Sequence, residues 1–79
     1  MRDEILKLLE ETCPTIDFEN EDALIDDGLL DSYAVLSIIG AISEKYDIEF
    51  EADDVLPETF NNLDCITKLV QEILERKTM

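Results

Sequence analysis

Apolar side chains recur at three- and four-residue steps in three stretches of the chain. Ile5, Leu6 and Leu9, framed by Asp3, Glu4, Lys7 and Glu10, predict an amphipathic helix over Met1 to Glu11. It should end near Cys13-Pro14, because proline lacks an amide donor and biases the preceding residue away from helical geometry. Over Tyr33 to Tyr46 the set Val35, Leu36, Ile38, Ile39, Ile42 and Tyr46 keeps helical spacing but spreads wider than one face, which predicts a central helix. Its β-branched residues and Gly40, the latter by about 1 kcal/mol relative to alanine, leave this helix dependent on packing. Gly40 is expected where another helix comes close. A last helix is predicted after Asn62, its cap, with Leu63, Ile66, Leu69, Val70, Ile73 and Leu74 inward. Arg76 and Lys77 suit the negative end of its dipole.

The connections are less regular. Residues 14–31 form a long first loop whose Ile16, Phe18, Leu24, Ile25, Leu29 and Leu30 are expected to tie it to the core. At its end Gly28 offers a left-handed reversal and Asp31 a helix cap, which puts Ser32 in the first turn of the central helix. The alternation in Asp47-Ile48-Glu49-Phe50-Glu51 has no partner strand and predicts an extended bridge with Ile48 and Phe50 inward. A short helical turn is expected over Ala52 to Leu56 before Pro57, with Phe60 as a further anchor. The fold class that follows is all-α: one domain over residues 1–79, a small bundle of three longer helices with a short helix before the last.

Composition narrows what such a bundle does. In 79 residues, 21 acidic and 6 basic side chains give a net charge of −15, which repels nucleic acid and anionic lipid and attracts basic protein surfaces. A chain this short supports one small core and no lobed substrate cleft. Serine hydrolysis lacks its usual base, since there is no histidine. Glycoside hydrolysis by Asp26, Asp27 and Asp31 lacks room for a sugar. An EF-hand register from Asp17 fails where Asp22 replaces the glycine and Gly28 the last glutamate. Cys13 and Cys65 have no metal-ligand spacing and read as reduced packing thiols. Phe18, Phe50 and Phe60 read as packing anchors, and Tyr46 as boundary packing. No leader or long apolar run appears, so a cytoplasmic monomer without membrane insertion is expected.

Ser32 is the sharper candidate. Amides at a helix start favour a phosphate placed there, so Ser32 is open either to phosphate chemistry or to plain capping. The run Asp26-Asp27-Gly28-Leu29-Leu30-Asp31-Ser32-Tyr33, entering an aliphatic helix in a small acidic chain, resembles the attachment segment of acyl and peptidyl carrier proteins. The likeness extends to the inward residues of the central helix, to Ile48-Glu49-Phe50, to the segment ending at Pro57 and to Asn62-Leu63.

That resemblance implies 4′-phosphopantetheine attached to Ser32 by a phosphopantetheinyl transferase, with Asp31 placing the phosphate or the transferase's metal. The chain would then be a non-catalytic carrier holding an acyl or aminoacyl thioester between an acyl- or aminoacyl-activating enzyme and a downstream synthase or acyltransferase. Neither cysteine is implied as the carrier thiol. Asp26, Asp27, Tyr33, Glu44, Glu51, Asp53 and Asp54 are the expected partner-binding residues, the acids by steering basic surfaces, while Tyr33 is also expected to pack at the helix start. Two departures point away from fatty-acid biosynthesis: Tyr33 stands where leucine is commonest, and Ala34 and Ser37 stand where fatty-acid carriers are often acidic. A D-alanyl carrier for cell-envelope modification is the main subclass alternative. An acidic helical adaptor without a prosthetic group is the reading outside the family.

Overall fold

The computed structural model describes residues 1–78. Helix α1 spans Arg2–Thr12, α2 Ser32–Tyr46 and α3 Leu63–Thr78, with 3-10 turns at Ala52–Asp54 and Pro57–Thr59. The all-α bundle with a long first loop is borne out. α1 buries Ile5 and Leu9 and ends where the Cys13 backbone leaves helical geometry, its amide still donating to the Leu9 carbonyl at 2.8 Å. α2 buries Ile38 and Ile42 in the core and stops at Asp47, held in the left-handed region at φ 54°. In α3, Leu63, Ile66, Leu69, Val70 and Ile73 are buried, and Asn62 Oδ1 caps the helix by accepting the Cys65 amide at 2.9 Å.

The long loop is fastened to this core by Phe18, Leu24 and Leu30, all buried. Each such side chain taken out of water contributes about 1.5–3 kcal/mol, which offsets the entropy of ordering a loop without regular structure. Ile48 is buried and half-buried Phe50 sets its ring 6.2 Å from that of Phe60, so the extended bridge faces inward as expected.

Four expectations fail. The short helix over Ala52 to Leu56 stops at Asp54, and Pro57 opens a second turn instead of closing the first, a first-turn position where its missing amide is harmless. The break follows from Asp54, whose Oδ2 turns back to accept the Glu51 amide at 2.9 Å and Arg76 Nη2 at 2.8 Å. Gly40 marks no close approach: a Cβ built there meets nothing within 4 Å. Leu29, expected to tie the loop to the core, is exposed after the reversal at Gly28, and α2, expected to be central, leaves Leu36 exposed on an outer face.

Candidate functional site

The segment leading to Ser32 is built by its backbone. Gly28 donates to the Ile25 carbonyl at 3.0 Å and Leu29 to the Leu24 carbonyl at 2.9 Å, the paired bonds of a Schellman motif with Gly28 at φ 74° in the left-handed position. Leu30 then drops into the core and Asp31 emerges with extended backbone, its Oδ1 accepting the Ala34 amide at 2.8 Å as the N-cap of α2. Ser32 is the first helical residue and is exposed. The first two helical amides, of Ser32 and Tyr33, have no acceptor within the helix and lie at its positive end.

Beside Ser32 runs an open groove of about 410 Å³. Its near wall is formed by Ile25 and Leu30, its far wall by Val55, Leu56, Pro57 and Phe60. The surface around the serine is apolar: Tyr33 is 80 % exposed and Leu36 67 %, with Leu29 and Leu56 also open to solvent. Tyr33 therefore does not pack at the helix start, since the N2 position of α2 turns its ring outward. No acid lies in the first turn of α2 itself.

The expected acidic set is spread over the molecule. Asp26 and Asp27 are exposed on the turn that precedes Ser32. Glu44 is exposed twelve residues further along α2, about 18 Å by helical rise, and so stands at the other end of the bundle. Glu51 lines a separate groove with Asp47, Arg76 and Lys77. Asp53 is exposed, but Asp54 is buried and tied to Arg76, which lowers its carboxyl below the ordinary carboxylate range, the Arg76 hydrogen bond outweighing burial. Asp54 is thus taken up in holding the 3-10 segment against the end of α3, and the expectation of an exposed guiding acid fails there.

Sequence reasoning missed Val55, Leu56 and Pro57 as a groove wall, and it missed Asn61. The Asn61 side chain reaches the turn at 24–26 through bonds that span 35 and 36 residues, so no local pattern marks it. The thiol of Cys13 is half-buried and pushed up, first by burial and then by the charge of Asp31. Among the described residues no cluster of acids and cysteines has metal-holding geometry, and no helix is long and apolar enough to cross a membrane.

Comparison with known proteins decides the family. No family model matches the chain. The D-alanyl carrier proteins of Bacillus cereus (strain B4264) and Bacillus anthracis (strain CDC 684 / NRRL 3495) are each 34% identical to it over 74 residues, covering 91% of this chain and 94% of theirs. The chain belongs to the acyl and peptidyl carrier protein family. It is accordingly a phosphopantetheine-dependent carrier and not an enzyme, a role that places the chemistry in other proteins. The carrier fold also gives the exposed serine a context that capping alone does not: the N-cap is Asp31, and the Ser32 side chain takes no part in it.

Proposed function

We propose that Ser32 bears the phosphopantetheine arm and that the cargo is a D-alanyl group. The observation that carries the first half is the exposed Ser32 at the start of α2, with its neighbour Asp31 already committed to the cap. The likeness to D-alanyl carriers over 91% of the chain supports the second.

The residues present fit the group. Ser32 Oγ is open to a transferase, the Ser32 and Tyr33 amides are placed for a phosphodiester oxygen, and the groove gives the arm a surface to lie along. Asp31, fixed by the Ala34 amide, holds the helix start in one conformation while Ser32 Oγ gives its proton to a base of the transferase and bonds to the pantetheine-bearing phosphorus of coenzyme A, whose pyrophosphate bond breaks to release adenosine 3′,5′-bisphosphate. When attached, the arm supplies a terminal thiol that holds a carboxylic acid as a thioester. Asp26 and Asp27 face solvent next to this point and steer basic surfaces of the transferase and the activating enzyme, while Tyr33 and Leu36 supply apolar contact once docked. Glu44, Glu51 and Asp53 contribute to the long-range field only.

Intact-mass analysis of the protein isolated from its own cells, before and after hydroxylamine, tests both halves. The expected species is chain plus arm plus one alanyl group, the last lost to hydroxylamine. A long acyl adduct would refute the cargo, and a chain bearing neither arm nor cargo would favour the adaptor reading.

A further inference from the structure

We propose that Asn61 is a positioning residue for modification of Ser32, joining the two walls of the groove beside that serine. The inference rests on Ser32 as the attachment site. One wall carries Ile25 and Leu30 and the other ends at Phe60. Asn61 follows Phe60 directly and crosses to the first wall. Its carbonyl accepts the Leu24 amide at 2.7 Å. Its Oδ1 accepts the amides of Ile25 and Asp26 at 2.9 and 3.2 Å, and its Nδ2 donates to Asp26 Oδ2 at 3.2 Å.

The turn gripped in this way is the one that delivers the chain to the serine. The Leu24 carbonyl accepts the amides of Leu29 and Leu30 at 2.9 and 3.1 Å, and Leu30 precedes the cap. Asn61 therefore sets where Asp26, Asp31 and Ser32 stand relative to the Val55–Phe60 wall, although it does not touch the serine and hydrogen-bonds the groove lining only at the Ile25 amide. Removing its side chain leaves the Leu24 bond and the buried Phe60 in place but strips two amides of their acceptor and frees Asp26. The turn then occupies its docking-competent arrangement for only a fraction of the time. Apparent affinity for a transferase falls by that fraction, while the step after binding is unchanged.

The test is steady-state transfer from coenzyme A to the full chain by a phosphopantetheinyl transferase, read by mass. N61A is expected to raise KM about three- to tenfold with kcat within about twofold of wild type. N61D sets a second carboxylate against Asp26 and is expected to raise KM as well. In the D26N background, which carries the lost steering charge by itself, N61D restores the donor–acceptor pair, so the KM of the double variant N61D/D26N is expected to equal that of D26N. A residue that only stabilises the fold would lower the unfolding midpoint and leave KM alone.

Wild-type KM in N61A, or a KM for N61D/D26N that exceeds that of D26N by the same factor as N61D exceeds wild type, overturns the positioning role. If N61A loses its helical spectrum, the effect of N61D with and without D26N decides the same question. A folded wild-type chain left unmodified under conditions that modify a control carrier overturns the Ser32 reading and this role together, whereas a modified wild type with indifferent Asn61 variants overturns this role alone.

Discussion

The two glycines of the chain are predicted to respond to alanine with opposite signs. Gly28 sits at φ 74° at the end of the turn before Ser32, whereas Gly40 lies inside α2. A Cβ added at either position meets nothing within 4 Å, so packing cancels and the backbone decides. At Gly28 an L-residue must be held in the left-handed region, a cost of about 1 kcal/mol or somewhat more. At Gly40 alanine removes the glycine penalty in a helix, a gain of up to about 1 kcal/mol. The two variants should differ by about 2 kcal/mol, and for a domain of this size each kcal/mol moves the midpoint by about 4–8 °C. Thermal and urea unfolding followed by helical circular dichroism should therefore place G28A below wild type and G40A above it, with an unchanged urea slope. Shifts of the same sign, or a neutral G28A, would refute the assignment of these two backbones.

Three further outcomes follow from side chains. Asp54 is held below its ordinary pKa, so its pairing adds stability that is fully present above the unfolded-state value and is lost as pH falls through the depressed folded value. D54N should destabilise the chain at pH 7, while D53N, which removes the same charge from an exposed neighbour, should be neutral or slightly stabilising in so acidic a chain; urea titrations from neutral to acid pH should show the D54N deficit closing as wild type itself loses the pair. L36S, on the exposed face of α2, should leave stability within about 0.5 kcal/mol of wild type, whereas I38A, in the core, should cost about 2–5 kcal/mol by urea unfolding. The Cys13 thiol, half-buried and with its pKa raised, should react with a thiol reagent more slowly at neutral pH than a free cysteine does, and should speed up on unfolding in urea.

Helix periodicity made the three longer helices legible, because burial on α1 and α3 follows a single face at helical spacing. α2 is harder: its apolar residues spread wider than one face, so the pattern predicts a central helix and cannot say that Leu36 faces solvent. The cap and the reversal before Ser32 were readable since Gly28 and Asp31 act on their immediate neighbours. What the sequence hid acts at a distance. Asp54 looks like its neighbour Asp53 until Arg76, 22 residues away, is folded against it, and of two adjacent asparagines only Asn62 carries a capping signal while Asn61 bonds across 36 residues. The groove wall at Val55–Pro57 was likewise hidden, because Pro57 begins a 3-10 turn in a position the sequence reads as a stop.

The central claim is that Ser32 is the attachment point of the carrier arm. The most direct test incubates the folded chain and S32A with coenzyme A and a promiscuous phosphopantetheinyl transferase, followed by intact mass and peptide mapping. The account predicts one phosphopantetheine adduct on the peptide containing Ser32, and none on S32A, whose helical spectrum stays close to that of wild type because Asp31 retains the cap. An adduct that persists in S32A, or a folded wild-type chain left unmodified beside a modified control carrier, would contradict it.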